Sequence, residues 1–200
     1  MKPQKLSKAA HAFAIKAHAA ANHYYGKGKA VPYSAHLEMA LAIATMFIKL
    51  VPRPKRELVR AAISCHDLME DARVSWGELV DLFGKDLAEL VYALTNEKGR
   101  TAADKENYKY YAGIREIPYA DFVKICDRTA NVLYSALTNS AMLRSYRSRQ
   151  RDFREQLYSD KYEPMFDYLE SILKATDADL QKMDIPEVLK TYAARSNNPY

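Results

Sequence analysis

Apolar positions recur along this 200-residue chain at three- and four-residue intervals, and no alternating apolar-polar run of useful length lies between turn signals. The pattern predicts an all-α fold, with helices near 5–24, 34–51, 55–71, 75–83, 85–95, 101–115, 118–138, 140–158 and 160–174. Chemical punctuation separates them: Gly26-Lys27-Gly28-Lys29 loops out, Pro52 and Pro54 break the second helix from the third, and Gly84 and Gly99 mark further stops. Ser75-Trp76-Gly77-Glu78 fits a capping box, in which side chain and backbone satisfy each other at a helix start.

From Thr176 onward the pattern predicts one or two short helices before a polar end, Ser196-Asn197-Asn198-Pro199-Tyr200. No internal repeat or low-complexity tract is visible. The expected organisation is one domain over 1–175, with 176–200 as a short helical appendage and tail.

Composition narrows the class. With 48% hydrophobic residues and only 6 Gly and 8 Pro, the composition argues against disordered and fibrous chains. No apolar run approaches the roughly 20 residues of a membrane span, and the first residues lack the apolar core of a signal peptide. Cys65 and Cys126 each lie in an apolar stretch, and two cysteines are too few for a disulfide framework. A cytoplasmic protein with reduced thiols and no membrane partner is expected. The 30 Lys and Arg against 25 Asp and Glu give a charge of +5, which favours anionic partners without choosing among nucleotides, phosphorylated metabolites and nucleic acid.

Chemistry concentrates at Cys65-His66-Asp67-Leu68-Met69-Glu70-Asp71. On a continuous helix, His66, Asp67, Glu70 and Asp71 would span roughly 140° of one face. Four polar groups beside Ala61-Ala62-Ile63 are costly to bury unless paired or bound to an ion, although a solvated helix end would also accept them.

Two further segments join this one. His36 opens a helix whose Leu37, Ala40, Leu41, Ala44 and Phe47 repeat at core spacing, and Asp127 closes the apolar run Phe122-Val123-Lys124-Ile125-Cys126. Taken singly, His36 could satisfy a local hydrogen bond and Asp127 a salt bridge to Arg128 or a lysine. Together, His36, His66, Asp67 and Asp127 offer two nitrogen and two oxygen ligands, a set suited to divalent manganese, iron, nickel or zinc. Glu70 and Asp71 then either transfer protons or orient the ligands through hydrogen bonds.

The order H…HD…D, with Glu70-Asp71 after the pair, resembles the HD-domain phosphohydrolases, and more narrowly the hydrolase domain of RelA/SpoT enzymes and small stand-alone alarmone hydrolases. The likeness covers roughly residues 8–158. It is carried by Pro32-Tyr33-x-x-His36, His66-Asp67-x-x-Glu70-Asp71, the landmarks Phe83-Gly84 and Leu94-Thr95, and Lys124-Ile125-Cys126-Asp127-Arg128-x-x-Asn131.

The resemblance implies an HD-domain helical bundle and manganese bound by His36, His66, Asp67 and Asp127. It implies removal of pyrophosphate from the 3′ position of guanosine 5′-diphosphate 3′-diphosphate or its triphosphate relative. Glu70 and Asp71 would orient or deprotonate water or protonate the leaving oxygen. Lys27, Arg128 and Asn131 would bind the nucleotide, Asn131 at the base. The chain departs from the family in two places: Leu37 stands where proline usually follows the histidine, and Lys27-Gly28-Lys29-Ala30-Val31 replaces the arginine-containing base loop. A lysine lacks the planar guanidinium that stacks on a base.

Other readings use the same residues. Another HD nucleotide phosphohydrolase, acting on nucleoside mono- or triphosphates, would need the same ligands. A non-catalytic module could bind nucleotide, or RNA through Arg144, Arg147, Arg149, Arg151 and Arg154. A small-molecule nucleotide is the expected partner and nucleic acid is not, while self-association stays open.

Overall fold

The computed structural model describes residues 3–26, 31–96, 105 and 107–197. Among them the chain is all-α apart from one short hairpin. The helices, in order, are α1 (Pro3–Ala20), α2 (Ser34–Phe47), α3 (Arg56–Cys65), α4 (Leu68–Asp71), α5 (Trp76–Phe83), α6 (Lys85–Leu94), α7 (Tyr108–Glu116), α8 (Ala120–Leu137), α9 (Met142–Leu157), α10 (Glu163–Lys174), α11 (Asp177–Leu180) and α12 (Glu187–Asn197). Strands β1 (Tyr24–Tyr25) and β2 (Val31–Pro32) pair antiparallel in front of α2, with Tyr24 opposite Pro32. Each strand is two residues long, too short for an alternating pattern to reveal.

Several expected helices differ from what forms: the one over 34–51 ends at Phe47 and passes into a 3-10 turn, and the one over 101–115 starts at Tyr108 behind its cap Asn107, with 101–104 outside the described residues. The one over 5–24 ends at Ala20, ahead of Asn22 at φ +53°, a left-handed conformation that helices do not continue through. The expected helix over 55–71 is two helices, broken at His66 and Asp67, for a reason given below. The capping box at Ser75 forms as its sequence predicts: the Ser75 hydroxyl accepts from the Glu78 backbone, and Glu78 accepts from the Ser75 backbone at 2.8 Å. Gly84 joins α5 to α6 at φ +90°, a conformation open to glycine at little cost.

The chain divides into two compact units. The first comprises Met1–His23 and Val51–Lys124. In it α1 packs along α3, and the fully buried alanines Ala10, Ala14, Ala61 and Ala62 keep both helix surfaces small. α6 packs on α3, α4, α5 and α7, and brings the buried Leu87, Leu90 and Val91 to this core. Side chains such as Leu68 and Leu87 contribute about 1.5–3 kcal/mol each by leaving water. The buried Cys65 thiol, pushed up to about 12 by desolvation, behaves as a small apolar group.

The second unit comprises Tyr24–Leu50 and Ile125–Tyr200, so the boundary falls within α8. α2 is covered over more than one face. Ala35, Met39 and Ile43 are buried with Leu37, Ala40 and Ala44, whereas Leu41 and Phe47, expected in the core, are half-buried. α9 and α10 pack through Phe153 and Phe166, with Arg154 paired to Glu170 at 3.1 Å. Residues 176–197 belong to this unit, where α12 lies against α2 and β2. Leu180, Ile185, Leu189 and Ala193 are buried there, and the Tyr192 hydroxyl donates to Glu38 at 2.7 Å. Among the described residues, no helix is long and apolar enough to cross a membrane.

Candidate metal-ligating pairs

His66 explains the break between α3 and α4. In an uninterrupted helix the Ile63 carbonyl would accept from the Asp67 backbone N–H. Here the His66 ring nitrogen Nδ1 lies 2.7 Å from that carbonyl oxygen. Because a carbonyl can only accept, Nδ1 carries the proton, and Asp67 leaves helical geometry at φ −101°, ψ 4°.

The same bond fixes the tautomer. With Nδ1 protonated, a neutral His66 presents its Nε2 lone pair, and Asp67 Oδ2 sits 2.8 Å from it. Two electron-rich atoms at that separation repel unless a cation, either a proton or a metal ion, lies beside both. Two ligand atoms about 2.1 Å from one ion and at right angles are about 3.0 Å apart. The pair therefore fits a divalent ion, and a second ring nitrogen donating to a carbonyl is the usual support of a ligating histidine.

The residues that follow sit in the first unit with this pair. Both Glu70 oxygens accept from the Asn96 side chain at 3.1–3.2 Å, and one also faces the Asn96 backbone N–H at 3.3 Å. Asn96 follows α6, so these bonds tie the exposed Glu70 to the end of that helix. Asp71 lies 3.9 Å from His23 Nε2, an ion-pair distance, and His23 Nδ1 meets His18 Nδ1 at 3.1 Å. Desolvation, then the charge of Asp67, pushes the Asp71 carboxyl above its ordinary value; Glu70 adds to this, and His23 and His66 oppose it.

The second unit builds a similar pair from distant segments. His36 stands in the first turn of α2, and its Nε2 lies 3.1 Å from Asp127 Oδ1 in the middle of α8. Both residues are buried. This separation also matches adjacent ligands on one ion. Asn131, one turn along α8, donates from Nδ2 to Asp127 Oδ1 at 2.6 Å and to the Asp127 carbonyl at 3.1 Å. The Tyr25 hydroxyl donates to Asn131 Oδ1 at 2.6 Å, and its ring stacks on His36, with centroids 5.0 Å apart and planes at 19°.

Of the residues expected to bind nucleotide, Asn131 lies at this pair. Arg128 is buried, its guanidinium 4.6 Å from the Tyr146 ring centre and 4.9 Å from that of Phe153, a packing arrangement for a cation. Lys27 lies outside the described residues. Of the arginines in α9, Arg147 donates to the Leu173 carbonyl at 2.7 Å and Arg154 to Glu170, so both tie this helix to α10.

Sequence reading missed Tyr25, Asn96 and His23. Each lies beside a motif that was read, Tyr25 and His23 before Gly26 and Asn96 after Thr95, but their partners are far along the chain. No protein-family model matches this chain, and no curated protein matches it.

Proposed function

We propose that the chain is a divalent-metal phosphohydrolase of the HD type, acting in the cytoplasm. It removes pyrophosphate from the 3′ position of guanosine 5′-diphosphate 3′-diphosphate or its triphosphate relative. Manganese is the proposed ion, and His36, His66, Asp67 and Asp127 are its proposed ligands. The observation that carries the reading is His66: its Nδ1–H is committed to the Ile63 carbonyl, so Nε2 faces the Asp67 carboxylate at 2.8 Å, and a metal ion can take the place that a proton would hold between them.

A bound divalent ion lowers the pKa of its water and neutralises charge that builds on a phosphoryl group. The chain's own carboxylates supply the rest. Glu70, held by Asn96, orients the attacking water and takes its proton. Asp71, whose carboxyl is pushed up by burial and neighbouring acids, is suited to hold a proton for the leaving oxygen. The net positive charge favours a substrate with four or five phosphates, and Lys27 is the proposed basic contact in the base loop.

The test is pyrophosphate release from guanosine 5′-diphosphate 3′-diphosphate with and without added manganese, with dGTP, GTP and a nucleoside monophosphate in parallel. Manganese-dependent turnover confined to the 3′-diphosphate is the expected result. Turnover of the other nucleotides instead moves the chain to the broader HD phosphohydrolases, and no turnover of any overturns the enzymatic reading.

A further inference from the structure

Counting the hydrogen bonds of Asn131 leads to a different role for it from contact with a base. Its amide nitrogen has two hydrogens, and Asp127 offers two acceptors, Oδ1 at 2.6 Å and the backbone carbonyl at 3.1 Å. Both are oxygens that can only accept from an amide, so the nitrogen must face Asp127 and the carbonyl oxygen must face away. That oxygen receives the Tyr25 hydroxyl at 2.6 Å. A purine edge needs a donor and an acceptor at once, and here the amide nitrogen is turned to Asp127 and the amide oxygen is taken by Tyr25.

Tyr25 is itself held on several sides within the second unit. Its ring stacks on His36 and lies 4.7 Å from the Tyr134 ring centre and 6.1 Å from that of Tyr33. The Tyr134 hydroxyl is hydrogen-bonded to Ser196. The next residue, Gly26, has φ +74°, and a Cβ there would fall 2.5 Å from the Tyr134 hydroxyl. A side chain here would be strained by the positive φ and would meet the Tyr134 hydroxyl, so glycine suits the point where the hairpin passes Tyr134.

We infer that Tyr25 and Asn131 are positioning residues for the metal ligands of the second unit: Asn131 aims the Asp127 carboxylate, and Tyr25 fixes the Asn131 amide through its hydroxyl and the His36 ring through its face. Oδ1 of Asp127, the atom nearest His36 Nε2, is the one Asn131 grips. Such support is how a ligating carboxylate and imidazole are kept in one orientation before an ion arrives. The inference rests on the metal reading above.

The experiment measures manganese binding to the full chain by the electron paramagnetic resonance of free Mn²⁺, with the visible spectrum of bound Co²⁺ as a second readout. The variants are Tyr25→Phe, Asn131→Ala and Asp127→Ala. Tyr25→Phe keeps the stacked ring and removes only the hydroxyl, so it tests the hydrogen bond even if Asn131→Ala folds poorly. Affinity for Mn²⁺ is expected to fall about 10–100-fold in Asn131→Ala and about 10-fold in Tyr25→Phe, with a changed Co²⁺ spectrum and native circular dichroism. Loss of Mn²⁺ in Asp127→Ala, with native affinity in the other two, overturns the inference and leaves the metal reading standing. Native Mn²⁺ affinity in Asp127→Ala overturns both. A raised KM for nucleotide in Asn131→Ala, at native Mn²⁺ affinity, returns that amide to the substrate.

Discussion

The first unit makes its imidazole-carboxylate pair from sequence neighbours, His66 and Asp67, whereas the second makes one from His36 at a helix start and Asp127 deep in a later helix. The two differ in what holds them. The first is set by the backbone: the His66 ring takes a carbonyl from its own helix, ends that helix, and turns Asp67 out of helical geometry. The second is set by side chains: Asn131 holds Asp127, and Tyr25 holds Asn131 and covers His36. In this chain the local pair comes with a break in its helix, and the long-range pair comes with a supporting shell.

Removing a carboxylate from each pair is the severest way to break this comparison. Asp67→Ala and Asp127→Ala should each abolish bound metal and turnover, read by elemental analysis and pyrophosphate release. The native chain should hold one ion. Two ions per chain, with each variant losing one, would make the pairs separate sites.

Glu70→Ala should leave the metal in place and lower turnover about 10²–10⁴-fold, the usual contribution of a positioned proton-transfer group. Loss of the ion in this variant would make Glu70 a ligand or its support. Next in size is the pH dependence of Asp71, whose carboxyl is raised. If Asp71 holds the leaving-group proton, turnover falls as pH rises through its raised value, and Asp71→Asn lacks that limb. The sign for stability follows from the same shift. Ionised Asp71 opposes folding above its raised value, and the penalty disappears as pH falls below the ordinary carboxylate value. Asp71→Asn should therefore melt no lower than the native chain at neutral pH.

The smallest effects compare local structure in the two units. Ser75→Ala and Thr176→Ala each remove a capping box, one at α5 and one at α11, and each should cost about 1 kcal/mol in chemical denaturation. The partner acids Glu78 and Asp179 are held below their ordinary values, Glu78 first by the Ser75 backbone and Asp179 first by the Thr176 side chain. Their stabilisation is present above the ordinary carboxylate value and is lost as pH falls through the lowered one.

Legibility in the sequence tracks the range of each interaction. The Ser75 box was readable because its partners are three residues apart. The break at His66 was not, because a helix reading follows the apolar pattern while the competitor for the Ile63 carbonyl is a ring on the same helix. The segment after Thr176 reads as short helices, but its attachment through Tyr192 to Glu38 depends on a residue near the other end of the chain.

By itself the sequence determined the helical class, most helix positions and the adjacency of His66 and Asp67, since backbone periodicity and capping act over a few residues. Tertiary structure alone decided that His36 meets Asp127 and that the Tyr25 hydroxyl meets the Asn131 amide. Those contacts join segments far apart in the chain, so they depend on how buried surfaces pack, and no local spacing encodes them.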